Sequence, residues 1–329
     1  MSQRNKILVI REDRLGDVMM TLPSLACLRS KVSFEIDFLG NEVLFPVLSG
    51  VFRELQISPI SEVKDWGAYR AVLFLNGKPK RLWESFSRRV PVRVGIRSRW
   101  DSFFLLTHSI RQSRSMAEKS EAEYNLDVCH LLLKALDLEP SCDLLPITLP
   151  MSEGDRAEAL RVLGSVSSGP FMVVHPGMSG SALNLSVSQY AEIIRVLQKQ
   201  GPVLLSQGPA SLDQEIVRQL KLDFPEIPVI KGVSLRVLAE VFRLANLVIA
   251  PSTGPIHLAH YVGTRTLGLY SPVRSHSPSR WAPWGGSGES ETLTPEVDCP
   301  GRRDCLGPRC EVYNCMEWTS WAKILSGGS

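Results

Sequence analysis

Eight residues, Ala250-Pro251-Ser252-Thr253-Gly254-Pro255-Ile256-His257, join an apolar run to a helix-forming pattern and leave an anion site at the junction. Leu247, Val248 and Ile249 read as a buried strand that ends there. Ser252 and Thr253 are N-cap residue types, and Gly254 lets a ligand approach the backbone. Pro255 fits the first helical turn, where its missing N–H is not needed. Amides at a helix start lack internal partners and together carry about half a positive charge. A diphosphate bound there would need no metal to hold it. An ordinary well-capped helix has the same residues, so the rest of the chain must decide between the two readings.

Two more turns hold reactive side chains. Arg11-Glu12-Asp13-Arg14-Leu15-Gly16-Asp17 crowds three carboxylates and two guanidiniums after an apolar run. Such a cluster is either a set of structural ion pairs or the home of a general base, since a carboxylate at a crevice mouth can take the proton of an attacking alcohol. Gly16 suits a tight turn, and Asp17 then falls near a helix start, where the dipole keeps it ionised. The second turn, His175-Pro176-Gly177-Met178-Ser179-Gly180-Ser181, offers backbone amides and two hydroxyls to an anion. His175 could equally satisfy a buried carbonyl. No Walker sequence and no Gly-x-Gly-x-x-Gly turn follows a strand, which argues against a P-loop enzyme and weakens a nicotinamide dehydrogenase reading.

The elements that must position these turns alternate strand and helix, the pattern of parallel sheets. Strands are predicted at residues 6–11, 34–39, 71–75 and 92–96 in the first half, and at 171–175, 203–206, 228–230, 247–250 and 266–270 in the second. Helices are predicted at 16–30, near 42–48, near 81–88 and at 121–136, then at 188–199, 211–220, 235–244 and 255–262. At 329 residues, two domains are expected, 1–150 and 151–315, with 316–329 as a terminal segment. Parallel sheets place ligands at the carboxyl ends of their strands, where all three turns lie.

Charge and cysteine bound the setting. The net charge of +3 hides a basic block from Gly77 to Arg114, with ten Lys or Arg against Glu84 and Asp101. Such a block is either a solvated face or a magnet for polyanions. The interleaved Trp100, Phe103, Phe104, Leu105 and Leu106 suit a membrane interface better than a nucleic-acid groove. No apolar run is long enough for a signal peptide or a membrane span, so a cytoplasmic protein with its seven cysteines reduced is expected. Cys299, Cys305, Cys310 and Cys315 are separated by five, four and four residues, without the two-residue gap of a zinc ribbon or knuckle, and no structural metal is expected there.

The opening Ile7-Leu8-Val9-Ile10-Arg11-Glu12-Asp13-Arg14-Leu15-Gly16-Asp17-Val18, the following Thr21-Leu22-Pro23, the His175-Pro176-Gly177 turn and Ser252-Thr253-Gly254-Pro255-Ile256-His257-Leu258-Ala259 together resemble glycosyltransferase family 9, the lipopolysaccharide heptosyltransferases. The resemblance runs from about Lys6 to Trp284. It implies a GT-B architecture, with two Rossmann-like α/β domains facing across a cleft and the terminal segment packing back on the first. It further implies inverting, metal-independent transfer from a nucleotide-sugar, typically ADP-heptose, to a lipid A-core acceptor, with no cofactor. By motif position Asp17 is the base, and Thr253, Gly254 and His257 hold the diphosphate. Around them the donor set is filled by His175, Gly177, Ser179, Gly180, Ser181, Ser252, Pro255 and Arg280. Arg11, Asp13, Gly16, Arg97 and Arg99 form the acceptor set. The expected partners are the donor, the lipopolysaccharide acceptor and the inner membrane surface, not nucleic acid. The chain departs from the family pattern where Leu183 and Leu185 replace a Lys and a Trp, and Ser252 an Asp. A different donor, such as a UDP-hexosamine, or a silent nucleotide-sugar or glycolipid binding protein are therefore the alternatives.

Overall fold

The computed structural model describes residues 4–76, 78–97, 100–178, 180, 182–318 and 321. The chain divides into two compact units, residues 1–114 with 121–150, and residues 115–120 with 151–329. Each is built on a six-stranded, wholly parallel sheet.

In the first unit the strands are β1 (Lys6–Arg11), β2 (Glu35–Gly40), β3 (Ile57–Ile60), β4 (Tyr69–Phe74), β5 (Val92–Ile96) and β6 (His108–Ile110). They lie in the order β3-β2-β1-β4-β5-β6. The second unit has β7 (Met172–Val174), β8 (Val203–Ser206), β9 (Val229–Ile230), β10 (Leu247–Pro251), β11 (Thr266–Leu269) and β12 (Ser290–Leu293). Their order, β12-β11-β10-β7-β8-β9, is the same plan again. In this doubly wound arrangement the winding reverses between the first and fourth strands of each sheet. Ligands bind at that switch point, beyond the strands' carboxyl ends.

Central strands are apolar throughout because helices cover both faces of a parallel sheet. Ile7, Leu8, Val9 and Ile10 of β1 are fully buried, as are Val248 and Ile249 of β10. Three strands carry no such signal in the sequence: β3, β6 and β12, each at the edge of its sheet. The helix expected at 16–30 is two helices, Leu15–Met19 and Leu22–Lys31. Pro23 causes the break, because it has no N–H for the carbonyl of Met19 and its ring would clash there.

One expectation is corrected. Cys27 and Cys142 are joined in a disulfide with Cα atoms 5.4 Å apart, so the cysteines are not all reduced thiols. The helix Leu22–Lys31 packs on the helix Glu121–Ala135, and the segment after the latter brings Cys142 to Cys27. Among the described tail residues, Met316 and Trp321 enter the core of the second unit, and Gln189 Nε2 donates to the Met316 carbonyl at 2.7 Å. Residues 319, 320 and 322–329 of the terminal segment lie outside the described residues. No described helix is long and apolar enough to cross a membrane.

Candidate active site

At the switch point of the first unit, β1 ends in Arg11, a buried arginine whose guanidinium gathers the surrounding loops. Its Nη1 donates to the Leu75 carbonyl at 2.7 Å and to Asn125 Oδ1 at 3.5 Å. Its Nη2 donates to Asp17 Oδ1 at 2.6 Å and to Glu121 Oε1 at 3.2 Å. Its Nε lies 2.9 Å from Asp13 Oδ2. Arg11 was expected among the acceptor-binding residues. The structure gives it a positioning role, with its cation committed to three carboxylates inside the fold. Glu121 is also paired with Arg114. Asn125 and Glu121 are more than a hundred residues from Arg11, and no local pattern marks them.

Asp17 sits in the helix Leu15–Met19 with 26% of its side chain exposed, within reach of a substrate. Burial pushes its carboxyl above the ordinary aspartate value, Arg11 pulls it down, and the neighbouring Asp13 pushes it up again; the net shift is upward. The result is a carboxylate more basic than one in water, oriented by a short bond. Asp13 also accepts from Asn76 Nδ2 at 3.1 Å, tying the turn after β1 to that after β4. Glu12 faces Lys78 and Arg81 instead, at 3.4 and 3.3 Å. Gly16 lies inside the helix rather than in a turn. Arg97, just past β5, donates its amide to the Ile110 carbonyl and stacks its guanidinium 5.7 Å from the Phe103 ring centre. Arg99 lies outside the described residues.

The switch point of the second unit lies between β7 and β10, where the His175 amide donates to the Ile249 carbonyl at 2.8 Å. His175 is buried, its Nδ1 is 2.9 Å from Ser206 Oγ, and burial lowers its pKa to about 4. It braces β7 against β8 as a neutral ring. Gly177 is glycine for a steric reason: a Cβ there would stand 2.3 Å from Asp213 Cγ. Asp213, in the helix Ser211–Asp223, also crowds Gly208, where a Cβ would meet its Oδ2 at 2.4 Å. Gly180 has a left-handed backbone, φ 71°. Ser179 and Ser181 lie outside the described residues. Asn184 closes this loop, donating to the Pro176 carbonyl at 2.8 Å and accepting from Tyr190 at 2.7 Å. Leu183 and Leu185, which replace the family's Lys and Trp, pack into the core.

After β10, Thr253 holds the N-cap of the helix Gly254–Tyr261, yet its hydroxyl makes no capping bond. Ser252, Thr253, Gly254 and Pro255 are all partly exposed, which leaves this turn able to meet a ligand. His257 is buried and held near pKa 3, by burial first and then by His260, so it is neutral; its Nδ1 has no partner among the described residues. Arg280 is partly exposed and stacks over Trp281 at 4.8 Å. Trp281 is fixed by its Nε1 bond to the Ser275 carbonyl and by the Tyr270 hydroxyl on its own carbonyl, at 2.8 and 2.7 Å.

Each unit thus presents its charged or polar turns at the carboxyl ends of a doubly wound sheet, an acid in one and a helix start in the other. Solved structures with this fold include a glycosyl transferase family 9 protein from Veillonella parvula, with TM-score 0.72 and 18% identity, covering 90% of this chain and 88% of that one. Another is ADP-heptose lps heptosyltransferase II of E. coli, with TM-score 0.69 and 20% identity, covering 88% and 90%. A putative glycosyltransferase of Haemophilus influenzae is 30% identical over 304 residues, 84% of this chain and 86% of that protein. The model of glycosyltransferase family 9 (heptosyltransferase) matches residues 68–296. The two Rossmann-like domains and the sequence resemblance are thereby borne out, and the chain belongs to glycosyltransferase family 9.

Proposed function

We propose that this glycosyltransferase moves a heptose from a nucleoside diphosphate sugar to a lipopolysaccharide core or lipid A-type acceptor, with inversion and without a metal. The observation that carries the reading is Asp17: reachable, raised in basicity by burial, and held by Arg11 at 2.6 Å where β1 ends. Its carboxylate takes the proton of the acceptor hydroxyl as that oxygen bonds to the anomeric carbon. The bond from that carbon to the diphosphate oxygen breaks in the same step. The departing nucleoside diphosphate carries the negative charge, which the helix start at Thr253 and Gly254 receives, with Arg280 as the proposed countering cation. His257 contributes only as a neutral hydrogen-bonding group, because burial prevents it from charging.

The acceptor side is proposed to work at the cytoplasmic face of the inner membrane. The helices Pro79–Ser87 and Trp100–Leu105 pack together and leave Trp83, Phe86, Trp100, Phe103 and Phe104 exposed. Arg93 and Arg97 stack on Phe86 and Phe103, so cations and aromatic rings share one surface, the composition that favours an anionic lipid interface. Leu185, buried, and Leu183, partly buried against the same core, stand where the resemblance places Trp and Lys, which favours the second reading, in which the same chemistry acts on another donor, such as a UDP-hexosamine. Release of nucleoside diphosphate from a panel of ADP-, UDP- and GDP-sugars, with core oligosaccharide as acceptor, tests both. Turnover of ADP-heptose alone supports the first reading, and turnover of a UDP-sugar alone replaces it with the second.

A further inference from the structure

A cluster in the first unit has no part in the transfer described above. Cys27 lies on the helix Leu22–Lys31, His130 on the helix Glu121–Ala135, and Cys142 in the segment that follows. The two sulfurs and a ring nitrogen of His130 all lie within 4.8 Å of one another. A disulfide uses only the sulfurs. The third donor is what a soft or borderline divalent cation selects, since thiolate and imidazole together are the ligands of zinc.

We propose that Cys27, His130 and Cys142 form a zinc-type metal site when the Cys27–Cys142 bond is reduced. A dithiol reductant supplies two electrons and two protons. The S–S bond breaks to give two thiols, and the reductant leaves as its own disulfide. Zn²⁺ then displaces one proton from each thiol and binds the neutral imidazole, with a fourth position for water. The oxidised form ties the helix Leu22–Lys31 to the segment after the helix Glu121–Ala135, the metal-bound form adds a tie to that helix through His130, and both helices make contacts that lead to Asp17. Thr21 Oγ1 donates to the Asp17 carbonyl at 2.9 Å, Asn125 Nδ2 to the Met20 carbonyl at 3.1 Å, and Glu121 holds Arg11. The site therefore secures the frame of the acid by either chemistry. It does not depend on which sugar is transferred.

The test uses the full chain carrying Cys299→Ser, Cys305→Ser and Cys310→Ser, which removes the other exposed or partly exposed thiols and leaves the buried Cys315 in place. Reduced with a phosphine and titrated with Zn²⁺ at neutral pH, this protein is expected to bind one equivalent. Adding Cys142→Ser or His130→Ala should weaken uptake at least tenfold, with circular dichroism confirming that both remain folded. Co²⁺ titration of the same triple-serine chain gives a second readout: a sulfur-to-cobalt charge-transfer band after reduction that vanishes when the disulfide is re-formed. No metal uptake by the reduced protein, or uptake unchanged by His130→Ala, overturns the proposal.

Discussion

Arg11 shows how one side chain sets the properties of another. Three carboxylates, Asp13, Asp17 and Glu121, converge on its guanidinium; Glu121 is buried, whereas Asp13 and Asp17 both keep an open face, and burial makes Asp17 more basic than an ordinary aspartate. Asp17→Asn keeps the shape and removes the basic electron pair. Transfer is expected to fall by about 10²–10⁴-fold, the usual range for loss of a general base, while donor affinity by calorimetry stays unchanged. Full activity in that variant would remove Asp17 from the role. Because the base must be ionised and its pKa lies above the ordinary aspartate value, kcat/KM should fall on acidification at a higher pH than a free carboxylate would give. Arg11→Gln takes away the charge that pulls Asp17 down, so the acidic limb should move to still higher pH. The same change removes one of the two arginines on buried Glu121 and leaves Arg114 in place, at a stability loss of about 1.5–3 kcal/mol by urea titration, the range for one lost hydrogen bond to a charged group. The sequence makes Asp17 legible, because it sits in a local motif with its carboxylate neighbours. Glu121 and Asn125 are not legible, since they reach Arg11 only through the packing of a distant helix. Asp213 is hidden in the same way, known only by the two glycines it forces.

At the scale of elements, the central strands are written in the sequence as apolar runs, and the edge strands are not. β3 contains Pro59, β6 begins with an exposed His108, and β12 is mostly polar, because an edge is half solvated and its apolar signal is diluted. The turn after β10 was readable as an N-cap by residue type, but the Thr253 hydroxyl does not cap. That difference is testable. An N-cap Thr that caps costs about 1 kcal/mol when lost. Thr253→Val should cost less than about 0.5 kcal/mol in a urea titration, as expected for a substitution that breaks no such bond. Donor affinity should instead drop roughly tenfold, the loss of one hydrogen bond to a charged ligand. A large stability loss with unchanged donor affinity would return Thr253 to an ordinary cap. The aromatic helices make a separate prediction: Trp100→Ser with Phe104→Ser should reduce co-sedimentation with anionic phospholipid vesicles several-fold, without changing release of nucleoside diphosphate to a soluble core oligosaccharide. Vesicle binding equal to that of the unsubstituted chain would place the contact elsewhere.

For the whole molecule, one strand order used twice gives two sheets with separate cores, and their buried titratable groups respond to acid in opposite directions. The second unit holds His175, His257 and His260 in its interior, with pKa values near 4, 3 and 4, lowered above all by burial. Unfolded histidine titrates near 6.5, so below that pH the unfolded chain binds protons that the folded unit refuses. Stability from these residues is complete above about pH 7 and is lost as pH falls toward 4, at about 1.4 kcal/mol per pH unit for each histidine. Asp155, held well below the usual carboxylate range by its bonds with Arg236, adds nothing to the slope above about pH 5 and adds to the loss below it, where the unfolded aspartate begins to take up protons. In the first unit Asp17 acts the other way. Its raised pKa means that folding favours the protonated acid, a contribution that grows on acidification. Hydrogen exchange at pH 7 and pH 5, corrected for intrinsic amide rates, should therefore show β7, β8 and β10 losing protection while β1, β2 and β4 keep theirs. Replacing His257 by Phe, which binds no proton, should recover about one third of the lost protection free energy. Equal loss in both sheets, or loss in the first sheet first, would mean that these histidines do not control the acid stability of the chain.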